Sequence, residues 1–167
     1  MNTFDLFFFE NHSTNGKYIC QEDGRYVVWY ECDDGYGKQI VPMGPDMVCT
    51  QIKYYPDTLT IKSEGQYLKD WHEPIGVWKT YDPEGNVIEE KDSDADYPVK
   101  WVQMKQILEE HHINVDDIMR GWRHKPNEGH PEWRFQMKTV KSTMEKLRFD
   151  AVNGNLIERQ SIKLNRV

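Results

Sequence analysis

Short aromatic or β-branched runs, separated by Gly, Pro, Asn or Asp, fill the chain from Lys17 to about Glu90. Strands favour the first residue types and turns favour the second, so the pattern predicts a meander of antiparallel strands. The clearest early strands are Arg25 to Glu31 and Val48 to Tyr55. Six Trp and nine Tyr in a chain that is only 38% hydrophobic indicate a core built largely from rings.

The later part of the meander carries two local signals. Gly65 lies inside the run Leu59 to Tyr67, where a glycine indicates a bulge or a close backbone approach. Val77 to Tyr81 leads into Asp82 to Asn86, which has the Pro and Gly of a five-residue turn. Val87 and Ile88 begin the return strand, so this segment predicts a hairpin.

A charge-rich segment, Glu89 to Asp96, divides the chain. It holds few apolar side chains and is interpreted as a linker, and Tyr97-Pro98 marks a restart after it. We therefore predict an acidic, aromatic-rich meander over residues 1–96. Residues 97–167 are predicted to form a helix with antiparallel strands, and the two parts to share one core.

The second part is predicted to begin with the main helix of the fold. Between Val99 and His112 the apolar residues recur at helical spacing, as expected when one helix face is buried. They are Trp101, Met104, Ile107 and Leu108. Asn114 or Asp116 caps a shorter predicted helix through Ile118 and Met119 before Gly121.

The tail permits two interpretations. Trp133, Phe135 and Met137 alternate as in a strand, and an Asn153-Gly154 turn before Leu156 requires a partner strand. A helix also fits the spacing of Trp133, Met137, Val140, Met144 and Leu147. We favour strands because the turn needs a partner. The predicted fold class is α+β and β-rich: an antiparallel strand meander, one main helix and a C-terminal β-hairpin or three-strand unit.

Charge is distributed unevenly along the chain, whose net charge is −7. Residues 1–97 carry 8 Lys and Arg against 19 Asp and Glu, a formal charge of −11, and residues 98–167 carry 13 against 9, or +4. An acidic surface repels nucleic acid and anionic lipid and attracts basic proteins. We therefore expect a basic protein partner, with no nucleic acid and no membrane.

The cysteines and the N-terminus predict a cytoplasmic protein. Cys20, Cys32 and Cys49 are odd in number and widely spaced, which fits reduced thiols better than a disulfide framework. The N-terminus has no basic region, and its apolar run from Leu6 to Phe9 is too short for a signal sequence or a membrane span.

We expect no metal and no cofactor. His111 and His112 are adjacent on the predicted helix, where side chains point about 100° apart and cannot share one ion. His124 and His130 lie in a loop without an obvious third ligand. The cysteines lack the paired C-x-x-C spacing of a structural zinc site.

We expect no catalytic residues and therefore no enzyme. Gly35-Tyr-Gly37 lacks the Lys-Ser/Thr that follows a phosphate-binding loop and is interpreted as a hairpin turn. The carboxylate pairs Asp33-Asp34 and Glu89-Glu90 lie in polar turns and linkers. Acid catalysis of glycoside cleavage needs one carboxyl in an apolar pocket.

Two adjoining segments resemble the MORN-variant repeat of bacterial YwqK-like antitoxin proteins. They are Tyr55 to Tyr67 (YPDTLTIKSEGQY) and Pro74 to Ile88 (PIGVWKTYDPEGNVI). The shared pattern is a Tyr-Pro opening, a Lys-Ser-Glu-Gly-x-Tyr strand, a Gly-x-Trp-x-x-Tyr-Asp strand end and a Gly-Asn turn. The repeat spans about 54–90, with a degenerate copy around Trp29 to Ile40.

The tail is similar to PepSY-like domains. Glu132 to Met137 (EWRFQM) and Leu147 to Ile157 (LRFDAVNGNLI) resemble two strands of that domain and its Asp-x-x-x-Gly turn. The predicted helix from Val99 to His112 precedes them.

The MORN-variant resemblance implies a cytoplasmic immunity protein that neutralises a cognate secreted toxin by occluding its active site. The alternative is a non-catalytic scaffold or protein-interaction module built on MORN-type hairpins. Acidic residues and aromatic anchors are the expected contacts to a basic toxin. The candidates are Asp33, Asp34, Tyr36, Trp71, Glu89, Glu90, Asp92, Asp94 and Asp96.

Overall fold

The computed structural model describes residues 3–44, 46–139 and 143–163. The chain separates into two compact units, Met1–Ser93 and Asp94–Val167. The boundary between them along the sequence falls within the charge-rich segment, Glu89 to Asp96. Of the described residues, 54% lie in strands and 13% in helices. The predicted α+β class with one main helix is therefore wrong: the described chain forms eleven antiparallel strands in two sheets, with two short helices.

Seven strands of the first unit form one antiparallel sheet in chain order. They are β1 (Lys17–Glu22), β2 (Arg25–Cys32), β3 (Gly35–Pro42), β4 (Val48–Tyr54), β5 (Ile61–Leu68), β6 (Glu73–Tyr81) and β7 (Val87–Asp92). The predicted early strands are confirmed as β2 and β4, and the predicted hairpin as β6 and β7. The linker predicted from Glu89 is wrong up to Asp92, because its backbone pairs in register with Val77–Thr80.

A short helix, α1 (Leu6–His12), was not expected from the sequence. The Asp5 carboxylate accepts a hydrogen bond from the Phe8 amide at 2.9 Å and caps its first turn. Phe4 and Phe9 are buried with Tyr54 in an aromatic cluster. The Phe4 amide also donates to the Leu59 carbonyl at 2.8 Å. The apolar run near the N-terminus therefore covers one face of the meander.

Two glycines of the first sheet lie beneath aromatic rings on neighbouring strands. The pairing of β5 with β6 shifts register between Glu64 and Gln66, which confirms the predicted irregularity at Gly65. A Cβ atom at Gly65 would lie 2.1 Å from the ring of Trp78. At Gly37 a Cβ would lie equally close to Tyr30. Both strands therefore need glycine to admit a ring.

Substituting Gly65 with alanine is expected to destabilise the protein by about 1 to 3 kcal/mol. The new methyl group displaces Trp78, whose indole N–H donates to the Gln66 carbonyl at 3.0 Å. Urea denaturation followed by circular dichroism measures the loss. In a Trp78→Ala background the same substitution should be nearly neutral, because no ring covers the glycine. An equal loss in both backgrounds would contradict the packing argument.

The second unit pairs four strands in the order β11-β10-β9-β8. They are β8 (Ile118–His124), β9 (Glu132–Lys138), β10 (Thr143–Asp150) and β11 (Leu156–Lys163). Helix α2 (Trp101–Glu110) packs on one face, where Trp101 meets Trp133 with ring centroids 5.9 Å apart. Phe135, Leu147 and Phe149 are buried on the same face.

The sequence interpretation of the second unit needs one correction. The predicted short helix through Met119 is wrong: a single 3₁₀ turn, Val115–Asp117, precedes β8. The Asn114 side chain accepts from the Asp116 amide at 3.1 Å and caps this turn. Gly121 is a strand residue opposite Phe135 rather than a helix terminus. The unit thus has four strands instead of three.

The tail forms strands rather than a helix. Trp133, Phe135 and Met137 alternate towards the buried face of β9, as the favoured interpretation predicted. Val140, which entered the helical alternative, lies outside the described residues. The Asp150 to Asn155 segment is the turn between β10 and β11, in which the Gly154 amide donates to the Asp150 carbonyl at 2.8 Å.

Candidate functional site

The last strand of the first sheet, β7, is exposed along its whole length. It is paired with β6 on one side, and no described strand pairs with its other side. Its outer backbone groups therefore form an open sheet edge. Glu89, Glu90 and Asp92 line this strand, together with exposed Val87 and Ile88. We call Val87–Asp92 the acidic edge.

Charges of both signs lie at the acidic edge. Glu64, Lys79 and Glu90 lie side by side across β5, β6 and β7. The Tyr81 hydroxyl donates to Glu64 Oε1 at 2.5 Å. This hydrogen bond, with burial and the charges of Glu64 and Glu90, raises the pKa of Tyr81 to about 12. Lys79 Nζ lies 3.2 Å from Glu90 Oε1, and such an exposed pair contributes little stability. Lys91 is a second cation, within β7 itself.

Acidic side chains occupy both faces of the edge strand. Glu90 is opposite Lys79 and Asp92 is opposite Val77, whereas Glu89 is opposite Thr80. Because successive side chains of a strand point to opposite faces, Glu90 and Asp92 share one face and Glu89 lies on the other. A chain that paired with β7 would meet Glu90 and Asp92 on one face of the sheet, and Glu89 together with Lys91 on the other.

Asp33 and Asp34 lie away from the acidic edge, in the turn between β2 and β3. Four strand spacings of about 4.8 Å each separate β3 from β7. Asp34 is within 3.0 Å of Lys62 Nζ and 3.9 Å of Lys53 Nζ. The hydrogen bond from Lys62 is the main cause that lowers the pKa of Asp34 to about 2. The Asp34 charge is thus balanced within the first unit, while Asp33 is exposed.

The two predicted aromatic anchors are each partly buried. The Tyr36 ring stacks on Phe4 with centroids 4.7 Å apart and meets Phe9 edge-on. It therefore belongs to the aromatic cluster beneath α1, because its strand position faces that side of the sheet. Trp71 lies in the turn between β5 and β6, where its amide donates to the Leu68 carbonyl at 3.1 Å.

Asp94 and Asp96 belong to the second unit and are held there by cations. Asp94 Oδ1 lies 2.7 Å from Arg123 Nη1, and both side chains are almost fully buried. The Arg123 guanidinium also lies over the rings of Tyr97 and Trp133. Asp96 is exposed and lies 2.7 Å from Lys125 Nζ. Asp94 therefore stabilises the second unit.

The sequence analysis missed a basic surface on the sheet of the second unit. It lies on the face opposite α2 and surrounds a cavity of about 150 Å³. Its side chains are Arg120, Trp122, Arg134, Gln136, Lys146, Arg148, Glu158 and Gln160. We call these residues the open face. Positions 134 and 136 alternate with buried Trp133 and Phe135, so the strand pattern contained this signal. Arg120 and Trp122 were missed because β8 was not predicted as a strand.

The two partly buried thiols, Cys20 and Cys32, have poor nucleophilic character. Cys20 Sγ donates to Glu22 at 3.2 Å, and Cys32 Sγ donates to Asp34 at 3.3 Å. Burial, followed by these hydrogen bonds, raises the pKa of both thiols. Since the thiolate is the reactive form, a raised pKa lowers reactivity. Within residues 3–44, 46–139 and 143–163, no three His, Cys, Asp or Glu side chains form a metal-binding group.

One histidine is paired with a carboxylate. His130 Nδ1 lies 2.7 Å from Asp150 Oδ2. Asp150 also accepts from the Val152 amide at 2.7 Å and the Asn153 amide at 3.3 Å. Its carboxylate thus organises the turn before β11, and these bonds lower its pKa against the opposing effect of burial.

Neither membrane segments nor known relatives guide the assignment of function. No helix in the described part of the chain has the length and apolar character needed to cross a membrane. Comparison with protein-family models, curated proteins and solved structures finds no match. The function is therefore inferred from the geometry of the acidic edge.

Proposed function

We propose that this chain is an immunity protein that binds a basic cognate toxin and blocks the toxin's active site. The acidic edge is the main support for the proposal: it is exposed, its outer side pairs with no described strand, and it has carboxylates on both faces. The resemblance of residues 54–90 to MORN-variant antitoxin repeats supports the same function. Residues 87–90 of the acidic edge fall within the segment that carries this resemblance.

An open strand edge can bind an extended segment of another protein by main-chain hydrogen bonds. In this proposal a toxin segment pairs with the outer side of β7. Its basic side chains meet Glu89 on one face and Glu90 on the other. Exposed Val87 and Ile88 provide apolar area that the toxin covers. The negative charge of the first unit accelerates encounter with a basic partner.

The partner-binding residues in this proposal are Glu89, Glu90 and Asp92. Asp34 lies in the turn between β2 and β3, away from the acidic edge, and Asp94 is almost fully buried beside Arg123, so their charges contribute less to binding. Tyr36 packs against Phe4 and is not an anchor.

The cytoplasm is the proposed compartment. Cys20, Cys32 and Cys49 are free thiols, as expected in a reducing environment. A delivered toxin that acts inside the cell would be neutralised there.

Capture of partners, followed by a growth assay, tests this function. The full chain is used as bait in lysate of the source organism, and a captured basic protein is expressed alone in a sensitive host. We expect that protein to arrest growth and the chain to restore it when both are expressed. Charge reversal in Glu89→Lys/Glu90→Lys should weaken the complex by about tenfold or more and abolish protection.

A matched variant controls for net charge. Glu109→Lys/Glu110→Lys makes the same change on two exposed glutamates of α2 and should protect like the wild type. Circular dichroism verifies that both variants fold. Capture of a harmless cellular protein would overturn the immunity function in favour of a scaffold, and equal protection by both variants would rule out the acidic edge.

A further inference from the structure

The open face is organised in rows that cross the second sheet. In register from β8 to β11, one row holds a Trp, two Arg and a Glu, and the next holds an Arg, a Gln, a Lys and a Gln. The first row is Trp122, Arg134, Arg148 and Glu158. The second row is Arg120, Gln136, Lys146 and Gln160. Residues of both rows line the cavity.

The two arginines of the first row are held by carboxylates. Glu132 is buried and accepts from Arg134 Nε at 2.7 Å and from Arg148 Nη2 at 2.6 Å. Arg148 Nη1 also donates to Glu158 Oε2 at 2.8 Å. These charge-assisted bonds fix the two guanidinium groups and balance their charge. The first row is therefore a rigid and nearly neutral side of the cavity.

The second row carries positive charge that the structure leaves uncompensated. Arg120 and Lys146 are exposed, and neither has a carboxylate partner among the described residues. The Arg120 guanidinium carbon lies 5.2 Å from the ring centroid of Trp122, a cation–π contact that does not use the N–H groups as hydrogen-bond donors. Gln136 lies between the two cations in register and adds an amide donor.

The spacing of the two cations suits an extended peptide. β8 and β10 are two strand spacings apart, which places the backbones of Arg120 and Lys146 about 10 Å from each other. Alternate side chains of an extended chain are about 7 Å apart. Because arginine and lysine side chains are long and flexible, both cations can reach two alternate carboxylates of such a chain.

The geometry points to the open face as a docking site for an extended acidic segment of a partner protein. Two uncompensated cations beside Gln136 match two carboxylates, and Trp122 offers a ring for packing. A nucleic acid is disfavoured, because strong binding to phosphates requires many cations. Glu132 and Glu158 lie among the arginines here, and the chain has a net charge of −7. This site does not depend on the proposed immunity function.

Fluorescence anisotropy with short labelled probes tests this site in the full chain. The probes are a peptide alternating Glu and Ser, the corresponding Gln and Ser peptide, and single-stranded oligothymidylate. We expect the Glu peptide to bind and to weaken as salt is added, and the other two to bind far less. Arg120→Glu/Lys146→Glu should weaken Glu-peptide binding by about tenfold or more. Lys100→Glu/Lys105→Glu makes the same charge change in the α2 segment and should preserve binding.

Three results would overturn the proposal: no binding of the Glu peptide at millimolar concentration, tighter binding of the oligonucleotide, or equal binding by the reversed and wild-type proteins. If the charge-reversed variant fails to fold, nuclear magnetic resonance of the wild-type protein with the Glu peptide tests the same site. The Glu peptide should shift the Trp122 indole and the side-chain amides of Gln136 and Gln160. Shifts confined to other residues would also overturn the proposal.

Discussion

Replacing Trp133 with alanine is expected to destabilise the second unit by about 4 kcal/mol. Trp133 is completely buried, and its ring stacks on Phe135 with centroids 6.0 Å apart. Its indole N–H donates to the Val99 carbonyl at 2.8 Å. Truncation therefore leaves a cavity between α2 and the sheet and a buried carbonyl that loses its donor. A loss of this size is a large fraction of the stability of a small unit.

Urea denaturation followed by far-ultraviolet circular dichroism measures this effect. Trp133→Phe keeps a ring but loses the hydrogen bond, so it should be destabilised by less than Trp133→Ala. Trp122→Ala removes a half-buried indole from the open face and should be milder still, at about 1 kcal/mol. Equal destabilisation by the Trp133 and Trp122 substitutions would show that the core does not depend on α2 packing over Trp133.

Glu132→Gln is expected to remove about 2 to 3 kcal/mol of stability near neutral pH. Hydrogen bonds from Arg148, then Arg134, outweigh burial and lower the pKa of Glu132 from 4.5 to about 2. Because pairing lowers the pKa in the folded state, this stabilisation is complete above the ordinary pKa of 4.5 and is lost as the pH falls towards about 2. The amide leaves both arginines without their shared charge partner.

The pH dependence of the stability difference between the wild type and Glu132→Gln distinguishes an electrostatic contribution of Glu132 from a packing contribution. Urea midpoints of the wild type and Glu132→Gln should differ most near pH 7 and converge as the medium becomes acidic. Glu158→Gln provides the control, because Glu158 is exposed and bonds only one arginine among the described residues. Its effect should stay below about 1 kcal/mol. A difference between wild type and Glu132→Gln that stays constant with pH would contradict the argument.

The strands of the first sheet could be predicted because their signals are local. Val48 to Tyr55 combines strand-forming residues with flanking turns, and Asp82 to Asn86 contains the Pro and Gly of its turn. Gly65 allowed the irregular strand pairing to be predicted, because glycine is one of few residues that fit beneath an aromatic ring. By contrast, α1 is only seven residues long and is stabilised mainly by tertiary packing of Phe4 and Phe9.

β8 illustrates where local signals mislead. Asn114 does cap a turn, but the chain becomes extended at Ile118 because it pairs with Met137. That pairing joins residues far apart in sequence, so the residues around Ile118 alone do not predict a strand there. The same error concealed part of the open face. The charges of Asp34 and Asp94 were likewise visible in the sequence, whereas their partners Lys62 and Arg123 come together only through folding.

The chain-order pairing of the first sheet has a consequence for biosynthesis. Each strand pairs with the strand that is synthesised just before it. Successive hairpins can therefore form one after another during synthesis, because only short loops have to close. The N-terminal segment is the exception, because Thr3 and Phe4 bond to Thr60 and Leu59. Leu6 to Phe9 are therefore synthesised before their docking site, which is incomplete until Thr60 has been added. During that interval these apolar side chains are exposed to solvent, and such transient exposure promotes aggregation.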